Sequence, residues 1–185
     1  ALAHGWACLT LDALGTGESA RPPHEVGLEE QAASVAHALR ALDPAVGGGG
    51  PFVAVGHSMG GYLAMVQQAT HESYAALAIL GTTNHEVAPL GLPTAMIDAA
   101  ATAAGRDALV AQIASTMPDA SIAPDRSPMA SWFHLPDVPA DVLAADAATA
   151  TVVPRRAAAQ SSVPGITAAA AAAVRVPVLL AYGEV

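Results

Sequence analysis

The stretch Phe52-Val-Ala-Val-Gly-His-Ser58-Met-Gly-Gly-Tyr62 decides the fold of this 185-residue chain. It opens with four consecutive apolar residues, a run that is typical of a strand buried on both faces of a parallel sheet. The spacing G-x-S-x-G follows, and a helix-forming run without a breaker begins at Tyr62. Strand, tight turn and helix in this order are the pattern of a nucleophile elbow, in which a strained turn lifts a serine hydroxyl above the end of the sheet. The stretch therefore predicts Ser58 as a nucleophile.

The residues beside Ser58 have predicted roles in the same turn. Gly56 and Gly60 are expected where side chains would collide with the neighbouring strand and helix. The backbone N–H of Met59 is expected at the N-terminus of the helix, where the helix dipole favours a developing oxyanion. His57 lies too close along the chain to act as a base for Ser58, so we expect it to be structural or to line the pocket.

Outward from the elbow, strand and helix patterns alternate. Apolar residues at helical spacing predict an amphipathic helix over 28–42, with acidic residues in its first turn. Further buried strands are predicted at 8–11, 77–80 and 178–182, and the single cysteine, Cys8, is predicted to be a buried thiol. These patterns indicate an α/β fold with a mostly parallel sheet of about four strands covered on both faces. Weaker helical patterns are present at 94–104, 107–117, 140–150 and 168–174.

A second glycine-bearing stretch, Asp12-Ala-Leu-Gly15-Thr-Gly17-Glu-Ser19, follows the predicted strand at 8–11. A dinucleotide-binding turn would need a third glycine and a helix directly after it, and Pro22-Pro23 would block that helix. We therefore interpret the stretch as an ordered loop, with Asp12 as a turn residue.

Composition excludes several classes of function. The chain has 7 basic and 16 acidic residues and a formal charge of −9, and every basic residue is an arginine. Without lysine there is no Schiff-base chemistry and no lysine-dependent phosphate loop, and without a basic stripe nucleic-acid binding is not expected. A single cysteine excludes an internal disulfide. No apolar run approaches the roughly 18 residues of a membrane span, so we expect a cytoplasmic protein without a membrane segment.

These motifs together resemble the α/β-hydrolase superfamily. The D-x-x-G-x-G-x-S loop, the G-H-S-M-G-G elbow and the closing Gly183-Glu184 follow one another in the order of that family. The resemblance implies an α/β-hydrolase core over 1–84, a helical lid over 85–163 and a return to the core over 164–185. A serine at the elbow, where dehalogenases and epoxide hydrolases of the superfamily carry aspartate, argues against those two activities.

The activity that the resemblance implies is hydrolysis of a small or medium apolar ester, or a related acyl bond, through an acyl-enzyme on Ser58. It implies a small-molecule acyl substrate and neither a cofactor nor a metal. A carbon–carbon hydrolase, a cofactor-free haloperoxidase and a non-catalytic binding protein on the same scaffold are alternatives that the sequence leaves open. Candidate substrate-lining residues are His57, His85, Trp132 and Phe133. The lid residues Met96, Met117 and Met129 fit an apolar acyl pocket and ordinary packing equally well.

The acid and the histidine of a catalytic triad follow the serine along the chain in this family. No histidine follows His134, and the expected place of the acid is just after the strand at 178–182. We therefore expect an internal part of a longer hydrolase that is inactive on its own, with acid and histidine beyond Val185 and the second oxyanion donor before Ala1. Glu184 is the alternative acid. The resemblance also implies that the strands at 8–11 and 52–55 are not neighbours in the sheet.

The remaining histidines have structural interpretations. His134 and Asp137 are spaced as a metal pair would be, but two ligands without a third do not make a metal site. The other four histidines are expected at the surface or at helix ends: His4, His24, His37 and His71.

Overall fold

A computed structural model describes residues 2–46, 50–84, 91–123 and 130–183 of the chain. The strands within these ranges are β1 (Val53–His57), β2 (Ala76–Leu80), β3 (Ser121–Ile122), β4 (Val153–Pro154) and β5 (Val178–Ala181). The helices are α1 (Leu28–Val46), α2 (Met59–His71), α3 (Thr94–Ala99), α4 (Ala103–Ser115), α5 (Ala130–Phe133), α6 (Ala140–Ala148), α7 (Arg155–Ser161) and α8 (Ala168–Ala173), after a short 3₁₀ turn at Leu2–His4.

A parallel three-stranded sheet with the order β1-β2-β5 forms the centre of the fold. Val53 of β1 is in register with Ala76 of β2, and Leu77 of β2 with Val178 of β5. The sheet confirms the predicted α/β class and the positions of three of the four predicted strands. Their predicted burial is wrong for β5, all four residues of which are exposed, because β5 lies at the edge of the sheet among the described residues. Strands β3 and β4 form a separate two-residue antiparallel ribbon.

The main core lies around α2, which packs against the sheet and contacts both α1 and α7. Leu28 and Ala32 of α1 are buried against α2, whose Tyr62 and Met65 are buried in turn beside Ile79 of β2. The helical spacing of the apolar residues in α1 directs Leu28, Ala32, Ala36 and Leu39 to the buried side, as the sequence predicts. A second cluster joins α4 to α7 and the residues that follow it. No helix in the described ranges is long and apolar enough to cross a membrane.

The predicted strand at 8–11 is wrong. Residues 6–13 have no strand structure, and a cleft of about 690 Å³ separates them from the edge of β1. An extended segment becomes a strand only when neighbouring backbone groups pair with it, and none of the strands in the described ranges is adjacent. The predicted burial of Cys8 is wrong for the same reason, because its thiol is exposed on the unpaired segment.

The other differences concern helix boundaries. The elbow helix begins at Met59, three residues before the predicted start at Tyr62. The predicted helix over 94–104 divides into α3 and the start of α4, because the Thr102 side chain accepts a hydrogen bond from Gly105 N–H and caps a new helix. Helix α7 and the β3–β4 ribbon were not predicted, since both are too short to show a period in the sequence. The helices predicted at 140–150 and 168–174 are confirmed as α6 and α8.

Candidate active site

Ser58 is the single residue between β1 and α2, and its backbone conformation is one that few non-glycine residues adopt. Strand β1 ends at His57, helix α2 begins at Met59, and Ser58 between them has φ 52° and ψ −122°. A non-glycine residue held at positive φ costs about 1–3 kcal/mol and persists only where its surroundings impose it. The strand-turn-helix geometry predicted for the elbow is therefore present, and Ser58 is exposed at the end of the sheet.

Close packing explains one of the two predicted elbow glycines. A Cβ atom on Gly56 would lie 2.3 Å from the carbonyl oxygen of Gly60, so only glycine fits there. A Cβ atom on Gly60 would meet nothing within 4 Å, so the predicted collision at Gly60 is wrong. The second crowded position is Gly61, where a Cβ atom would lie 2.6 Å from the hydroxyl oxygen of Thr82.

Hydrogen bonds from the end of β2 hold the Ser58 backbone. The Ser58 N–H donates to the carbonyl of Leu80 at 2.9 Å. The Ser58 carbonyl accepts from the Gly61 N–H at 2.8 Å and from the Thr82 hydroxyl at 2.7 Å. Both ends of the serine residue are thus fixed, and its side chain projects from a backbone that cannot turn freely.

Met59 is the first residue of α2, and its N–H therefore has no carbonyl partner within the helix. The free N–H groups at a helix N-terminus carry a partial positive charge, which stabilises an anion placed beside them. This N–H and the Ser58 residue lie at the same end of α2, and the oxyanion role of Met59 stays a prediction.

Two tyrosines stiffen the loop after β2, next to the elbow. The Tyr182 hydroxyl donates to the carbonyl of Thr82, and the Tyr62 hydroxyl to that of Thr83, each at 2.9 Å. Burial, together with the neighbouring phenol of Tyr182, raises the pKa of Tyr62 above its ordinary value. Tyr62 therefore stays protonated through the neutral pH range and remains a hydrogen-bond donor.

A family comparison agrees with this geometry. The model of the alpha/beta hydrolase family matches residues 1–184 of the chain. The chain belongs to this family. No curated protein matches it.

The surroundings of the Ser58 hydroxyl were compared with the candidates that the sequence offers. Within the described ranges, no imidazole or carboxylate hydrogen-bonds to the Ser58 hydroxyl. His57 is exposed beside Gly81, where a Cβ atom would lie 3.3 Å from the His57 Nε2. His85 and Glu184, the other predicted candidates near this end of the sheet, lie outside the described residues.

The other candidates lie between residues 129 and 146. Phe133 is 53% exposed; the side chain of Trp132 and all of Met129 lie outside the described part. His134 Nε2 lies 3.3 Å from Asp146 Oδ2, so the histidine pairs with Asp146. Asp137, whose spacing from His134 is that of a metal-binding pair, is exposed. Among the described residues, no three His, Cys, Asp or Glu side chains are grouped as a metal ion would need.

The remaining sequence interpretations have clear outcomes. His4, His24, His37 and His71 are all exposed, as predicted. Asp12 is a turn residue, as predicted: its carboxylate accepts the Glu18 N–H at 2.9 Å and its carbonyl accepts the Ser19 hydroxyl at 2.6 Å. Sequence reasoning missed Thr82, Gly61 and Tyr182. Only Gly61 left a signal, as the third glycine of the G-H-S-M-G-G motif.

Proposed function

We propose that the protein is a serine hydrolase that cleaves a small or medium apolar ester, or a related acyl bond, with Ser58 as its nucleophile. One observation carries the proposal: Ser58 is held at positive φ directly before an α-helix, exposed at the end of the parallel sheet. Strain of this kind concentrates at functional sites, and this geometry exposes a hydroxyl while it places a helix N-terminus beside it.

In the proposed reaction the Ser58 hydroxyl oxygen attacks the substrate carbonyl carbon while a general base takes its proton. The Met59 N–H stabilises the negative oxygen of the tetrahedral intermediate. Collapse of the intermediate expels the alcohol, which receives the proton from the base, and leaves an acyl group on Ser58. Water then attacks this acyl-enzyme by the same route. We propose that the base is a histidine oriented by a carboxylate, both contributed from outside the described residues.

The segment over 85–163 is proposed to be a lid above this site. Its described part consists of short helices and the β3–β4 ribbon, and the aromatic side chain of Phe133 is exposed. Together with His57 at the sheet end, Phe133 is a proposed substrate-lining residue, as are His85 and Trp132. A small-molecule acyl substrate fits this environment better than a polar or charged one.

The alternative is a non-catalytic member of the family that binds a ligand. A fluorophosphonate probe decides between the two functions, because it reacts only with an activated serine. The protein expressed from its complete coding sequence should be labelled at Ser58, and Ser58→Ala should abolish the labelling. Ser115→Ala, which removes an exposed helical hydroxyl, is the matched control and should label normally. A folded protein with unlabelled Ser58 would contradict the serine-hydrolase proposal and leave the binding alternative standing.

A further inference from the structure

The carbonyl oxygen of Ser58 has an unusual second donor. Besides the Gly61 N–H of the first helical turn, the side-chain hydroxyl of Thr82 donates to it at 2.7 Å. Thr82 is 5% exposed and belongs to the loop after β2, twenty-four residues further along the chain. This buried hydroxyl links two parts of the chain that are far apart in sequence, and it restrains the orientation of the peptide group whose carbonyl accepts its hydrogen bond.

That peptide group joins Ser58 to Met59. A trans peptide is planar, so its carbonyl and its N–H point in opposite directions. Fixing the Ser58 carbonyl towards Thr82 therefore fixes the Met59 N–H to point away from Thr82. We propose that Thr82 is a positioning residue that aims the Met59 N–H at the oxyanion of the reaction. This inference rests on the proposed function and adds to it a residue that does not touch the substrate.

The hydrogen-bond lengths favour this role over capping of β2. The Thr82 hydroxyl also lies 3.2 Å from the carbonyl of Leu80, but a hydroxyl has one proton and the shorter contact is to Ser58. Gly61 leaves the space for this arrangement, because any side chain there would place a Cβ atom 2.6 Å from the Thr82 hydroxyl oxygen. Gly61 and Thr82 thus act as a matched pair.

Thr82 is itself held on its other side. Tyr182 is the residue directly after β5, and its hydroxyl donates to the Thr82 carbonyl at 2.9 Å. A continuous set of contacts therefore runs from the end of β5 through Thr82 to the Ser58–Met59 peptide. Because its backbone carbonyl and its hydroxyl are both hydrogen-bonded, Thr82 is held in place before substrate arrives, which is what stabilisation of a developing charge requires.

The test is the rate of fluorophosphonate inactivation, separated into the limiting rate kinact and the apparent affinity KI. In the protein from its complete coding sequence, Thr82→Val keeps the shape of the side chain and removes the hydroxyl. We expect kinact to fall about tenfold, less than the hundredfold or more of deleting an oxyanion donor outright, while KI changes by less than about twofold. Thr82→Ser restores the hydroxyl and should return kinact to within about threefold of the wild type.

Thr70→Val is the control. It deletes a bond of the same kind, from the Thr70 hydroxyl to the Val66 carbonyl at 2.8 Å, near the other end of α2 from Ser58. This variant should leave kinact unchanged. Equal kinact for the wild type and Thr82→Val overturns the positioning role alone. So does a Thr82→Ser variant as slow as Thr82→Val, which would assign the effect to packing of the methyl group. A wild-type protein that is not labelled at Ser58 overturns the proposed function and this inference together.

Discussion

Two short apolar segments, Cys8-Leu-Thr-Leu11 and Phe52-Val-Ala-Val55, look alike in sequence, and only the second belongs to a strand. β1 pairs with β2 along its whole length and packs against α2. In the first segment Leu9 and Leu11 are each 39% exposed, and a cleft lies where a paired neighbour would be. An apolar run thus predicts a buried strand only when another part of the chain supplies its backbone hydrogen bonds.

Amide hydrogen exchange should show the largest difference between the two segments. The Ser58 N–H faces β2, so the alternating direction of strand amides places Ala54 and Gly56 N–H on the same side, inside the ladder. We expect these two amides to exchange at least about a thousandfold more slowly than those of residues 8–11. Val53 and Val55, whose N–H groups face the cleft, should exchange faster than Ala54.

The exchange experiment needs a monomeric sample, because association through a sheet edge would protect amides for another reason. β5 is such an edge, with all four of its residues exposed. Protection of residues 8–11 equal to that of Ala54 in a monomer would show that the first segment is paired after all and would remove the contrast.

The next largest effect should come from adding one methyl group within the elbow. Gly56→Ala would place its Cβ 2.3 Å from the Gly60 carbonyl oxygen, a backbone atom that cannot move aside cheaply. We expect a loss of about 3 kcal/mol or more in the free energy of unfolding, measured by urea denaturation, together with loss of Ser58 labelling.

Gly60→Ala is the matched control, because its Cβ meets nothing within 4 Å and the residue is helical. Alanine is favoured over glycine in a helix by about 1 kcal/mol, so this variant should be as stable as the wild type or more stable. Similar losses for the two variants would mean that the elbow is sensitive to any side chain, and that the close approach of Gly56 to Gly60 is not the cause.

The sequence predicted the elbow well because its determinants are local. Glycine, serine and glycine at fixed spacing, after four apolar residues and before a helix-forming run, restrict the backbone without help from distant residues. The alternation of strands and helices likewise predicted that β1, β2 and β5 run parallel to one another. Periodicity over four turns was enough to predict α1 from its first residue.

What the sequence could not predict depends on contacts between distant residues. Thr82 matters through a hydrogen bond to Ser58, and threonine after a strand carries no signal of such a bond. That residues 8–11 do not pair with β1 agrees with what the family resemblance implies, but the four residues themselves carry no sign of whether a neighbour pairs with them. Helix α7 is anchored by pairs such as Arg155 with Glu25 on a distant loop, and its seven residues show no helical period.

A smaller effect is expected where the loop after the first segment is anchored without a strand. Gln31 of α1 is 3% exposed; its side chain accepts the Leu14 N–H at 2.8 Å and donates to the Leu14 carbonyl at 2.7 Å. Gln31→Leu would leave both backbone groups without their partner, so we expect a loss of about 2 kcal/mol in the free energy of unfolding.

Gln112→Leu changes an exposed glutamine of α4 and should cost less than about 0.5 kcal/mol in the same urea titration. If Gln31→Leu were as mild, the loop would be held by something other than this side chain, and the segment before it would be less isolated than the structure indicates.

The smallest effect should come from the first segment itself. Cys8 is exposed, so Cys8→Ser should change the free energy of unfolding by less than about 0.5 kcal/mol. Iodoacetamide should alkylate the Cys8 thiol of the folded protein within about fivefold of its rate in urea, because a thiol on an open segment reacts nearly as it does in an unfolded chain.

The matched control is Ala32→Ser, which adds a hydroxyl at a position of α1 that is 0% exposed and should cost about 1–3 kcal/mol in the free energy of unfolding. A thiol that resists alkylation in the native state, together with a Cys8→Ser loss as large as that of Ala32→Ser, would place residues 8–11 in the core beside β1 and make the two segments equivalent.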